Sequence, residues 1–204
     1  REGYLTMASA ERWGRNQLRH EIDSMLFERT AISSKPEELI KRELTDLRDN
    51  DILTPDIVFK SPYVLEFMGL KGMYSERDLE NSLVAHLEQF IIELGYGFTF
   101  VARQKRMIID GPDFYLDLLF YHRRLHRLIA IDLKLGRFKA QYKGQMERYL
   151  RWLEANEMEP GEESPLGLLL CTEGNEEQIE LLQLDKAGIK VAQYMTELTP
   201  HEVL

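Results

Sequence analysis

The sequence predicts an α/β sandwich around a mixed central sheet. Helical and strand-like periods follow one another along the chain in the order helix, four strands, helix, strand, helix, strand. The stretch FYLDLLFYH, RRLH, RLIAIDLK (114–134) reads as two apolar strands about a polar turn. LGLLLC (166–171), after a long helical pattern, reads as a buried strand. Ahead of these, residues 1–62 form a helical extension, and 63–204 the main domain.

Taken in order, residues 8–30 space Trp13, Leu18, Ile22, Met25 and Leu26 as one helical stripe. A second helix fits Pro36–Asp49, with Pro in its first turn and Leu39, Ile40, Leu44 and Leu47 on one face. Two helices this short cannot bury both faces alone, so they are expected to pack or to dimerise. DNDILTPD (49–56) is linker-like, and Pro55 and Pro62 bracket an extended segment. Tyr63–Met68 is a short helix or turn. Ser75 with Asp78 makes a capping pattern for a helix over 76–94, with Leu79, Leu83, Leu87, Phe90, Ile91 and Leu94 inward. Gly95 ends it. Phe98–Arg103 and Arg106–Asp110 are two strands separated by Gln104-Lys105, and Gly111-Pro112-Asp113 turns the chain into the hairpin. After Gly136 a helix near 140–155 turns Tyr142, Met146, Tyr149, Leu150 and Leu153 inward. EPGEESP is a loop, EEQIELLQL a helix and IKVAQY a final edge strand.

Composition excludes several classes. At 204 residues, 44% hydrophobic and 30% charged, the chain suits a water-soluble core with an extension. There is no apolar run long enough to span a bilayer and no signal-peptide pattern. One cysteine, Cys171, rules out an internal disulfide and suits a reducing cytoplasm. Zinc spacing, a phosphate-binding G-x-x-x-x-G-K loop and Ser or Cys nucleophile signatures are all missing. The net charge of −9 opposes indiscriminate nucleic-acid binding, yet charge is unevenly spread. Residues 100–151 hold 12 Lys/Arg against 5 Asp/Glu, leaving 14 against 30 elsewhere. Arg103, Lys105, Arg106, Arg123, Arg124, Lys139 and Lys143 in that stretch form a candidate phosphate-binding surface. A merely solvated basic face is the alternative.

The hairpin carries the chemistry. If 122 pairs with 127, Asp117 faces Asp132, and Lys134, two residues on, shares their side of the sheet. Asp is a poor strand residue, and two opposed buried carboxylates repel. A divalent cation relieves the repulsion, and one or two carboxylates with water and phosphate are a usual Mg²⁺ shell. A salt-bridged cluster neutralised by Lys134 is the alternative. His122, at the strand end, is read as a partly exposed turn residue that could touch a phosphate.

Pro112-Asp113, then Asp117 in a strand, then IDLK (131–134) resembles the PD-(D/E)XK nuclease superfamily. The wider wording is YSERDLENSLVAHLEQFIIELGYGFTFVARQKR, DFYLDLLFYHRRL, IDLKLGRFKAQYKGQMERYL and LGLLLCTEGNEEQIE. It resembles the YhcG-like branch, strongly over 63–195. WGRNQLRHEIDSMLFERT resembles the end of that branch's amino-terminal helical region. The resemblance implies a restriction-endonuclease-like fold and a Mg²⁺-dependent nuclease (Mn²⁺ a plausible substitute) acting on nucleic acid, DNA by preference. It implies metal ligation by Asp117, Asp132 and the Leu133 carbonyl, with Glu80 on the first helix joining through water or a second ion. Lys134 would orient or activate the attacking water, and Gln145 would lie near the substrate backbone or that water. Glu80 as a surface glutamate and Gln145 as a solvent-facing one are the plain alternatives, with Glu88 the other candidate for the helix acid. A nuclease-like fold that binds nucleic acid or protein without cutting is the rival function. No membrane partner is expected, and a homodimer through the amino-terminal helices is.

Overall fold

The computed structural model describes residues 53–174 and 176–197. The chain divides into two units, 1–62 and 63–204. Both expected amino-terminal helices, and the dimer contact assigned to them, lie outside the described residues. Within the first unit, Pro55–Val58 forms one helical turn (α1), so the segment between Pro55 and Pro62 is not extended throughout. Pro55 at the first helical position has no N–H to leave unsatisfied, and Val58 N donates to Thr54 O.

The second unit is built on six strands in spatial order β1-β6-β5-β4-β3-β2. Their bounds are β1 Tyr63–Val64, β2 Phe98–Ile108, β3 Asp113–His122, β4 Arg127–Leu133, β5 Leu166–Cys171 and β6 Ile189–Met195. β2, β3 and β4 run antiparallel, while β4, β5, β6 and β1 are mutually parallel, giving the mixed sheet expected. Two-residue β1 covers β6, which is therefore not an edge strand. The hairpin register is the one expected, with His122 opposite Arg127 and Leu118 opposite Ile131.

The helices are α2 Glu76–Ala85, α3 Leu87–Leu94, α4 Gln141–Asn156 and α5 Glu176–Leu181. Ser75 and Asp78 cap α2 reciprocally, Ser75 Oγ taking the Asp78 N–H and Asp78 Oδ2 taking the Ser75 N–H. The single helix expected over 76–94 is two. His86 leaves the helical region (φ −114°, ψ 39°), and its ring Nδ1 lies 2.9 Å from the same Ser82 carbonyl that its backbone N–H uses.

Helices cover both faces of the sheet. Phe90 of α3 packs edge-on against Phe120 of β3. Leu119, one residue earlier and so on the opposite face, packs with Tyr142, Met146, Tyr149 and Leu153 of α4. Gly167 of β5 lets α4 seat closely, since a Cβ there would meet Met146 Cγ at 2.5 Å.

β2 differs from the reading as two strands. It is one strand paired with β3 along its length, slipping by one residue between Phe100 and Ala102. Asp113, expected in the turn, is the first residue of β3, opposite Ile108. The hydrophobic period breaks near Gln104 because the strand rolls there. Ala102 and Met107 pack on the same core cluster at an odd spacing that a regular strand would send to opposite faces. Leu116 and Leu119 of β3 do the same. Gln104 sits at the roll with φ +46°, in the left-handed region.

His122 is fully buried rather than partly exposed. Its Nε2 donates to Tyr96 O at 3.2 Å and its Nδ1 accepts from Leu125 N at 3.1 Å, so the ring ties the β3–β4 turn to the loop before β2. Burial lowers its pKa to about 4, against the smaller opposing effect of the Tyr96 carbonyl. It is a neutral structural group and cannot meet a phosphate.

Candidate active site

The β3–β4 ladder ends at Leu118 opposite Ile131. One step further, the Asp117 side chain takes over from the backbone, its Oδ2 accepting the Leu133 N–H at 2.9 Å. This brings the carboxylate against Asp132 near the carboxyl end of β4. Asp132 is 2% exposed, in a strand buried on both faces. Burial, followed by the Asp132 charge and the contact with that carboxyl, pushes the Asp117 pKa up to about 7, against the Leu133 N–H and Lys134.

Lys134 Nζ stands 3.0 Å from Asp132 Oδ2. Asp132 Oδ2 is buried, with the Lys134 ammonium beside it and no further hydrogen-bond donor among the described residues. Nζ also lies 5.1 Å from the centre of the Tyr142 ring. Burial alone would lower the Lys134 pKa. Asp132, then Glu76 and Asp117, outweigh it and hold the group above its ordinary value, so Lys134 is a cation at neutral pH.

Glu80 is buried on α2, but it does not join Asp117 and Asp132 directly. Arg103 Nε donates to its Oε1 at 2.6 Å, and Gln104 Nε2 donates to its Oε2 at 2.6 Å. The Gln104 amide also reaches Asp117 Oδ1 at 3.2 Å, linking the two acids through one nitrogen. Gln145 of α4 donates to Tyr149 OH at 2.8 Å, and that hydroxyl donates to Tyr115 O at 3.2 Å. Tyr149 is close enough to the acids that, after burial, Asp132 and Asp117 help raise its pKa.

The basic residues are less concentrated than their sequence positions suggest. Arg103 is committed to Glu80, Lys105 to Glu157 at 2.7 Å, Arg106 to Asp113 at 3.0 Å and Lys143 to Glu147 at 3.6 Å. Lys139 is exposed between β4 and α4. Arg123 and Arg124 lie in the far turn of the hairpin, roughly 20 Å from Asp117 at about 3.3 Å per residue.

Three participants escape a reading of the sequence. Gln104 looks like part of a loop tip until the roll of β2 turns it inward. Glu76, in the first turn of α2, accepts the Leu135 N–H at 3.1 Å and adds negative charge near Lys134. Tyr149 reads only as a core residue. Of the three, Glu76 alone carried a signal, its place beside the Ser75 cap.

No group of three or more His, Cys, Asp or Glu among the described residues is gathered closely enough to hold a metal by itself. The donor set is instead two carboxylates. Two buried carboxyls that oppose each other's ionisation and share one ammonium fit a divalent cation completed by water and phosphate.

An α/β sandwich whose mixed sheet presents an acid on one strand and D-x-K on the next is a restriction-endonuclease-like, PD-(D/E)XK architecture. The chain belongs to the YhcG PDDEXK nuclease domain family, matched over residues 56–203. It is 41% identical over 161 residues to YhcG of Escherichia coli (strain K12), covering 79% of this chain and 42% of that protein. The chain thus spans about two fifths of that relative's length. Among solved structures it is similar to a repair endonuclease from Pyrococcus abyssi, with TM-score 0.42, 21% identity, and coverage of 64% of this chain and 50% of the other. It is likewise similar to an EndoMS chain in a complex with dsDNA, with TM-score 0.42, 17% identity, and coverage of 64% and 49%.

Proposed function

We propose that this domain hydrolyses phosphodiester bonds in nucleic acid, with DNA as substrate and Mg²⁺ as the working ion, for which Mn²⁺ would substitute. The observation that carries the reading is the buried pair itself: two opposed carboxylates share the Lys134 ammonium, and burial followed by the Asp132 charge raises the Asp117 pKa to about 7. A domain that only binds has no use for mutually opposed carboxylates. Family membership supports the nuclease class, and exposed Lys139 beside the D-x-K strand supports an anionic polymer as substrate.

Asp117, Asp132 and the Leu133 carbonyl would hold the cation. When bound, it supplies Lewis acidity and a more acidic water. Lys134, a cation beside the pair, neutralises charge building on the phosphate and orients the attacking water; its raised pKa suits a charge better than a base. Asp117 is held in place by the Leu133 N–H and the Gln104 amide, and Glu80 acts on it through that amide. Gln145 and Tyr149 line the α4 side, where a substrate backbone would pass.

The test is cleavage of labelled linear, circular and branched DNA, with matched RNA, in Mg²⁺, Mn²⁺ or EDTA. Products that need the divalent ion and fall at least about 100-fold in both Asp132→Ala and Lys134→Ala are the expected result. Binding without products in any ion would overturn it in favour of a non-cleaving module.

A further inference from the structure

Arg103 and Gln104 are consecutive, yet both side chains end on the Glu80 carboxylate. A regular strand sends neighbours to opposite faces. The left-handed backbone at Gln104 removes that alternation. A side-chain-bearing residue is disfavoured there, and persists where its surroundings over-determine it. Here the surroundings are two carboxylates. The two protons of one amide nitrogen serve Glu80 Oε2 and Asp117 Oδ1, so an uncharged donor fills the space between acids from α2 and β3.

Charge divides the three acids into two kinds. Glu80 has a protein donor on each oxygen, one of them the Arg103 guanidinium, so its charge is already matched. Asp117 and Asp132 share the Lys134 ammonium, so one carboxylate charge of the pair has no cation matched to it among the described residues. The requirement for a cation is therefore concentrated on one side of Gln104.

We propose that Gln104 is a positioning residue that sets the metal count at one: its amide takes the space a second divalent ion would need between Glu80 and Asp117, and with Arg103 it anchors Glu80 to protein. The inference rests on the metal-dependent reading of the site. Its consequence is a site in which Glu80 steers Asp117 without ligating an ion.

Mn²⁺ titration calorimetry, with electron paramagnetic resonance of the bound Mn²⁺, tests this without reference to activity. The intact protein is expected to take up one ion with an uncoupled spectrum. Gln104→Glu, which turns the donor into a fourth carboxylate, is expected to take two ions with the spin coupling of near neighbours. Gln104→Ala, which empties the space, is expected to do the same and covers the case in which Gln104→Glu fails to fold. One ion in both variants, or two coupled ions in the intact protein, overturns the role of Gln104 and leaves metal dependence standing. No uptake by the intact protein at millimolar Mn²⁺ overturns the metal reading and this inference with it.

Discussion

Asp117 makes the domain's stability depend on pH and, on the reading proposed above, on a bound cation. A carboxyl whose pKa rises on folding from 3.8 to about 7 adds no penalty at low pH. The penalty grows by about 1.4 kcal/mol for each pH step through that window and is complete above it. A bound cation removes the cause. The melting temperature gained on adding Mg²⁺ in place of EDTA is therefore expected to be larger at pH 8 than at pH 5, by several degrees. Thermal melts at the two pH values check this, and an equal gain at both would disprove it. Asp132→Asn is expected to abolish the gain at either pH. The pair was legible in the sequence because one assumed turn sets the register of a whole hairpin, placing residue 117 against 132. Gln104 was not. A left-handed residue inside a strand announces itself when it is Gly or Asn, and Gln carries no such mark.

At the scale of elements, the site depends on how closely a few segments approach. A Cβ on Gly97 would lie 2.8 Å from the His122 ring, and its φ of +99° already disfavours a side chain. Gly97→Ala is expected to destabilise the fold by roughly 2 kcal/mol or more, read as a fall in the urea midpoint. Gly167→Ala presses on Met146 and is expected to cost about 1–3 kcal/mol. It should also lower cleavage, because α4 carries Tyr142 under Lys134 and Tyr149 beside the acids. A variant at Gly167 with unchanged midpoint would show that α4 has room to move. Sequence periodicity misjudged two elements here for opposite reasons. It broke at Gln104, where the strand continues but rolls, and it ran on through His86, where the spacing of Leu83 and Phe90 survives a change of helix. Apolar spacing reports which side of an element is buried; it does not see a backbone that turns while keeping that side.

Over the whole molecule, the question is where an anionic polymer would lie. Residues 100–151 carry a local excess of basic residues, and folding spends several of them on internal ion pairs. Lys139, exposed beside the D-x-K strand, is free of any such commitment among those ion pairs, whereas Arg106 is tied to Asp113. Lys139→Ala is expected to reduce the slope of log affinity against log salt by about one, and Arg106→Ala by clearly less. DNA binding measured in EDTA across a range of NaCl concentrations decides this; equal slopes would show that the Arg106 pair opens on contact. Such apportioning lay beyond the sequence, because ion pairing joins residues such as Lys105 and Glu157 that are far apart in the chain.

The roll shared by β2 and β3 bears on how such a domain can change over generations. A substitution alters one side chain, but an insertion or deletion alters the phase of every residue beyond it. Ala102 and Met107 reach one core across an odd interval, as do Leu116 and Leu119, and both intervals bracket the site. Removing one residue from either interval would restore regular alternation and turn Met107 or Leu116 toward water. Descendants of this chain can therefore vary in spelling through the hairpin, while the number of residues between its core positions stays constant.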